Sequence, residues 1–274
     1  MPARLVRAVA CRGDCRAAPE NTLDAFKAAL KAGADEVHAE VRVTKDGAAV
    51  LCRDASLFRT TGHEALLKDL TLSEVQQLDA GAHFPAHPQP FRVLALEEFV
   101  TRFLPKLTVL LELKEPGAVL PTVALLQRLA GQGSFERVLA VSTERPLLSS
   151  LRMLDSRVRL GQIFERRSPV TLADAKLFGA TTVLAYWDDA ADKGYVNDAH
   201  ELGLGIYAWG AEKIEEARQA AAGGADAILY EDPAALLACL REAGLRGEPA
   251  PGGPELNGKP AANSKPNGKA NNKH

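Results

Sequence analysis

Eight short apolar runs, each followed by an amphipathic stretch, repeat from residue 5 to 243, and this alternation constrains the fold more than any other feature. The runs are LVRAVA (5–10), DEVHAEV (35–41), TVLLELK (108–114), RVLAVS (137–142), VRLGQIF (158–164), TTVLAYW (181–187), GIYAWG (205–210) and DAILY (226–230). Strands separated by helical stretches pair in parallel, with the helices as crossovers. Eight such units match a closed (β/α)8 barrel, and 274 residues suit one domain of that kind.

A ninth run, AAVLCR at 48–53, follows the second strand after only TKDG. Four residues cannot carry a parallel crossover, so this run returns antiparallel as a hairpin with Asp46-Gly47 in the turn. The hairpin brings Arg53 back toward His38 and Glu40. Asn21 or Thr22 caps a first helix that Gly33 ends, and Thr71 with Glu74 forms a capping-box pattern. Residues 54–95 form a short insertion over part of the barrel mouth.

The formal net charge is −2 with Lys and Arg scattered, so no basic face for nucleic acid is expected. No apolar run approaches the roughly 18 residues of a membrane span. MPARLVRAVA leads straight into the first strand without a cleavage signal, which points to the cytoplasm. Cys11, Cys15, Cys52 and Cys239 are expected to be reduced there, and do not make a disulfide framework. The barrel is expected over 1–245. Residues 246–274, rich in Pro, Gly, Asn and Lys, read as a disordered tail that could also dock a protein partner.

Polar signatures cluster at the ends of the apolar runs. They are CRG at 11–13, PENT at 19–22, GAD at 33–35, His38-Ala39-Glu40, TKDG at 44–47, Arg53-Asp54 and RTT at 59–61. LDAGAHF at 78–84, LEE at 96–98, Glu112-Leu113-Lys114, Trp209, and Glu231 with Pro233 follow. In this order the set resembles the glycerophosphodiester phosphodiesterase family. That family's pattern is His-Arg-Gly, Pro-Glu-Asn-Thr, Gly-Ala-Asp, Glu-x-Asp, Thr-Lys-Asp-Gly, His-Asp and Arg-Thr-Thr. The resemblance covers residues 5 to 243. It implies a TIM barrel with a divalent metal, Mg or Ca, on three carboxylates, phosphate on an arginine and a lysine, and two proton-transferring histidines. Carried over by position, Arg12 and Lys114 are the phosphate-binding pair and Glu112 is a metal carboxylate.

Other positions depart from that pattern. Cys11 and Arg53 stand where the two catalytic histidines are expected, and an arginine is always protonated and cannot act as a base. His38 and Glu40 replace Glu and Asp of the metal motif, and Tyr230-Glu231 replaces a late Thr-Asp pair. A set of His38, Glu40 and Glu112, with Cys11, suits Zn or Fe better than Mg or Ca, or else holds no metal. Cys11 is either a nucleophile beside Arg12, Arg53 and Lys114 or an inert filler of a histidine-sized gap. Arg53 is either a third phosphate-binding cation or a structural partner of Asp54 or Glu40. Glu20 is expected to hold the first loop or, as a pocket residue, to contact substrate, Trp209 to line the cavity or pack in the core, and His63, His83, His87 and His200 to be solvated.

Two functions follow. One is a degenerate family member that binds a phosphodiester, a glycerophosphate, another anionic small molecule or a protein partner without the family's usual hydrolysis. The other is an active phosphoric diester hydrolase, acting on glycerophosphodiesters or lysophospholipids, with altered metal and acid/base groups.

Overall fold

The computed structural model describes residues 5–85, 87, 89–166 and 169–246, and the tail from 247 onward lies outside them. All eight expected runs become strands of one ring: β1 (Arg7–Cys11), β2 (Glu36–Val43), β4 (Thr108–Leu113), β5 (Val138–Ser142), β6 (Arg159–Ile163), β7 (Thr182–Tyr186), β8 (Gly205–Trp209) and β9 (Ala227–Tyr230). Around the ring the order is β1-β9-β8-β7-β6-β5-β4-β2, and β1 pairs with β2 to close it. The ninth run forms β3 (Ala49–Leu51), antiparallel to β2 with Val41 opposite Leu51 and Val43 opposite Ala49. Gly47 supplies the positive φ of 79° that its hairpin turn requires.

A helix follows each parallel strand: α1 (Leu23–Ala32), α2 (Leu96–Phe103), α3 (Val119–Arg128), α4 (Arg145–Leu154), α5 (Pro169–Leu177), α6 (Lys193–Glu201), α7 (Ile214–Gly223) and α8 (Pro233–Glu242). Side chains alternate across each strand, so one set fills the barrel and the other meets the helices. Val9, Leu110, Leu139, Val141, Leu184 and Leu229 pack inside the ring. Outside it, Phe26 of α1 stacks against Phe99 of α2 with ring centroids 4.4 Å apart. No described helix is long and apolar enough to cross a membrane.

The insertion has an apolar base of its own. Leu57, Leu67, Val75 and Val93 bury against Val50 and Cys52 of the hairpin. The expected capping box is present, with Thr71 N–H donating to Glu74 Oε2 at 2.8 Å. At the other end the fold extends through Arg246, whose guanidinium donates to Asp35 Oδ1 at 2.8 Å.

The turn after β1 is the tightest joint between barrel and helix layer. Gly13 has φ of 92°, and a Cβ there would lie 2.6 Å from Ala25 Cβ in α1. Both strain and overlap therefore oppose any side chain. We expect Gly13→Ala to destabilise the protein by about 2 kcal/mol or more in urea unfolding. A loss under about 0.5 kcal/mol would show that α1 shifts freely to make room.

Candidate functional site

A cavity of about 410 Å³ opens at the C-terminal mouth, lined by Cys11, Arg12, His38, Glu40, Glu112 and Lys114, with Arg53, Trp209 and Glu231 on its rim. These residues come from different strand ends because a closed barrel aims all of its C-terminal strand ends at one point. Parallel pairing sets their heights: Cys11 lies opposite His38, and Glu40 opposite Glu112. Glu20 stands apart from the cavity, behind Arg12.

Two residues hold the first loop in an uncommon conformation. Arg12 and Asn21 have φ of 59° and 57°, in the left-handed region that side chains seldom adopt. The surroundings over-determine both. Arg12 N–H donates to His38 O at 2.9 Å, and Asn21 N–H donates to Arg12 O at 2.9 Å. The Asn21 amide donates to Glu40 Oε2 at 3.3 Å, and Glu40 N–H donates back to Asn21 Oδ1 at 3.4 Å. Thr22 is therefore the cap of α1, accepting from Ala25 N–H at 3.3 Å, and Asn21 is a brace between the first loop and β2.

The charged groups form two connected sets. In the first, Cys11 Sγ is 3.7 Å from His38 Nδ1, and His38 Nε2 is 3.1 Å from Glu112 Oε2. Lys114 Nζ donates to Glu112 Oε1 at 2.7 Å and lies 3.8 Å from Glu40 Oε1. In the second, Arg12 Nη1 donates to Glu20 Oε2 at 2.6 Å, and Nη2 donates to Glu231. Arg59 of the insertion grips the same Glu20 with two bonds of 2.5 and 3.0 Å and holds Asp54 at 2.5 Å. Glu20 thus ties the first loop to the insertion through two guanidinium groups, and it is not among the residues that line the mouth cavity.

Arg53 reaches the rim but not the inner set. Its side chain is 50% exposed, and its nearest carboxylate, that of Asp54, is 3.9 Å away. Such a contact contributes little in water. Trp209 is part of the cavity wall. Its indole N–H donates to Phe164 O at 3.2 Å, and Tyr186 meets it edge-on at 5.4 Å. Two of the histidines expected to be solvated are instead held. His200 Nε2 lies 3.0 Å from Asp226, and His87 Nδ1 lies 2.6 Å from Gln89 O.

Burial makes these charges interdependent. At His38, burial pulls the imidazole down, but the bonds to Cys11 and Glu112 and the charge of both outweigh it and hold the group above its ordinary range. At Glu112, burial pushes the carboxyl up, and His38 with Lys114 more than reverses this. Glu40 is raised, because burial there exceeds the pull of His38, Arg12 and Lys114.

This donor set does not fit the divalent ion that the family pattern implies. Both carboxylates already face Lys114, and the imidazole uses one nitrogen on Glu112 and turns the other to Cys11. No group of three His, Cys, Asp or Glu among the described residues is arranged to hold a metal. His38, Glu40 and Glu112 therefore meet as an ion-pair network instead of converging on one point, and the same holds for a Zn or Fe set that includes Cys11.

Glu231 and Arg59 are the contributors that local sequence reasoning passes over. Glu231 is 219 residues from its partner Arg12, a distance no spacing rule spans. Arg59 stands in the RTT signature without any sign of the carboxylate it holds.

Fold and mouth together define a (β/α)8 barrel with a charged cavity at its C-terminal mouth. The profile of the Glycerophosphoryl diester phosphodiesterase family matches residues 12–235, and the chain belongs to that family. It is 27% identical over 239 residues to a glycerophosphodiester phosphodiesterase of Caldanaerobacter subterraneus subsp. tengcongensis, covering 86% of this chain and 98% of the relative. Among solved structures, a glycerophosphodiester phosphodiesterase from Agrobacterium tumefaciens superposes with a TM-score of 0.74 at 24% identity, over 85% of this chain and all of that one. A phosphodiesterase from Oleispira antarctica in complex with the product sn-glycerol-3-phosphate superposes with a TM-score of 0.77 at 22% identity, over 86% and 97% of the two chains.

The His38–Glu112 pair gives the folded state a distinct pH dependence. His38 is raised above its ordinary 6.5, so its contribution is complete below that pH and is lost as pH climbs through the raised value. Glu112 is depressed below its ordinary 4.5, so its contribution is present above that pH and is lost as pH falls through the depressed value. The pair stabilises most between pH 4.5 and 6.5. We expect the urea midpoint of the unaltered protein to fall on the alkaline side of this window, and His38→Gln to flatten that fall. Parallel curves for the two proteins would contradict the ion pair.

Proposed function

We propose that the mouth binds a small phosphorylated anion, of the glycerophosphate or phosphodiester type, and that the family's two-histidine hydrolysis has been lost. One observation carries this reading. Arg53, a permanent cation, stands at the rim where a proton-transferring histidine belongs, and Arg12 and Lys114 face the same cavity. Three cations on one opening suit the oxygens of a phosphoryl group, which guanidinium groups bind through paired N–H donors.

An incoming anion has one displaceable competitor. Glu231 is 54% exposed on its side chain, whereas the other carboxylate on Arg12, that of Glu20, is 14% exposed and also gripped by Arg59. Phosphate can therefore take the place of Glu231 on the outer edge of Arg12 while Glu20 keeps the guanidinium oriented. Lys114 supplies the second contact from the other side of the mouth. Binding of this kind draws its countercharge from the chain and needs no divalent ion. Phosphoryl groups of small cytosolic metabolites are the matching ligand class, and the cytosol keeps the thiols of Cys11 and Cys15 reduced.

Calorimetry with sn-glycerol 3-phosphate should show binding that survives EDTA. Arg12→Gln or Lys114→Gln should weaken it about ten- to a hundredfold, the effect of one charge-assisted contact. Binding that appears only with a divalent ion would sink the reading. So would glycerophosphocholine hydrolysis by the unaltered chain that requires a divalent metal. The combined variant Cys11→His, Arg53→His, His38→Glu and Glu40→Asp restores the family's groups, and we expect it to gain metal-dependent hydrolysis of glycerophosphocholine.

A further inference from the structure

We propose that Cys11 is a covalent nucleophile toward a phosphoric ester in the mouth, activated by His38, which Glu112 orients. The proposal rests on the anion-binding role given above and adds a reaction to it, one that uses a thiol where the family pattern has histidine.

The three groups stand in the order such chemistry requires. Sulfur lies 3.7 Å from His38 Nδ1, and His38 Nε2 lies 3.1 Å from Glu112 Oε2. An ionised carboxylate can only accept, so Nε2 carries the hydrogen of that bond. Nδ1 is then the nitrogen left to exchange a proton with the thiol. Lys114, at 2.7 Å on the other oxygen of Glu112, keeps the carboxylate ionised and oriented. Nucleophile, base and orienter thus follow one another as in hydrolytic triads, which recur on unrelated folds and are recognised by geometry.

Backbone pairing, and not side-chain chance, sets this alignment. Cys11 and His38 are register partners in the β1–β2 ladder, and Arg12 N–H donates to His38 O at 2.9 Å. His38 is 4% exposed, so its ring is held by packing, while Cys11 is partly exposed and lines the cavity. Arg12, the next residue, opens into the same space and places a guanidinium beside any phosphoryl group that sulfur could attack.

The reaction balances without a co-reactant other than water. With the thiol proton held on Nδ1, sulfur attacks phosphorus and an S–P bond forms. The P–O bond to the alcohol breaks on the opposite side of phosphorus, in line with sulfur, and the departing oxygen takes a proton from water. The hydroxide so formed attacks the S-phosphoryl group, the S–P bond breaks, and sulfur takes its proton back from Nδ1. One histidine holds the thiol proton through both steps, so no second histidine is required for an alcohol that leaves readily as its anion, as nitrophenol does. Arg53 is then useful as it stands, as a cation at the rim.

Bis(p-nitrophenyl) phosphate tests this directly, because its alcohol is visible on release. The full-length protein with EDTA should give a burst of nitrophenolate stoichiometric with enzyme, and mass spectrometry should find the phosphoryl adduct on Cys11. Cys11→Ala should abolish both, and His38→Gln should slow the burst about a hundredfold or more. Should Cys11→Ala fail to fold, the mapped adduct in the unaltered chain decides alone. Release that persists in a folded Cys11→Ala would overturn the proposal. Binding of sn-glycerol 3-phosphate with neither burst nor adduct would also overturn it, while leaving the binding role standing. Absence of binding, burst and adduct together would remove both.

Discussion

The structure depends on the closure of the ring at β1. This strand pairs in parallel with β9 on one side, from Arg7 opposite Ala227 to Ala10 opposite Tyr230, and with β2 on the other, from Val9 opposite Glu36 to Cys11 opposite His38. Every feature of the mouth hangs from that double pairing. It sets Cys11 level with His38, places Arg12 within reach of both Glu20 and Glu231, and delivers Gly13 against α1. The left-handed backbone of Arg12 and Asn21 is tolerable only because hydrogen bonds to His38, Glu40 and each other already span the joint.

A mouth crowded with buried charge raises a second constraint. Isolated carboxylates in such a place cost several kcal/mol unless a cation or a set of hydrogen bonds offsets them. The family pattern implies that a metal ion supplies this offset. Here the chain supplies it: His38 and Lys114 flank Glu112, while Arg12 and Arg59 share Glu20. The replacements at His38, Glu40 and Arg53 therefore form a consistent set. Each either removes a negative charge, adds a positive one, or keeps a carboxylate where a cation already faces it. Under the binding role proposed above, a site that balances its own charge exchanges one anion for another, with Glu231 as the occupant displaced.

Much of the fold was legible from local pattern. The eight runs, the antiparallel return of β3, the turn at Asp46-Gly47, the stop at Gly33 and the capping box at Thr71 and Glu74 all answer to periodicities or turn chemistry spanning a few residues. Within the candidate site, Cys11, Arg12, His38, Glu40, Glu112 and Lys114 were legible too, since strand ends of a barrel share one mouth. The roles of Asn21, Arg59 and Glu231 were not legible. Asn21 looked like a helix cap because its type and position suit one, and only the course of β2 shows that its amide serves Glu40.

The sequence by itself determined which residues could do chemistry and which strand carries each, because alternation and spacing are properties of neighbouring residues. Only the tertiary structure decided what those residues do to one another. Whether His38, Glu40 and Glu112 converge on an ion or pair with cations of the chain depends on ångström distances between strands far apart in sequence. Those distances are set by the register of β1, β2 and β4 in the closed ring. The same register turned a cysteine and a histidine 27 residues apart into a thiol and imidazole in contact.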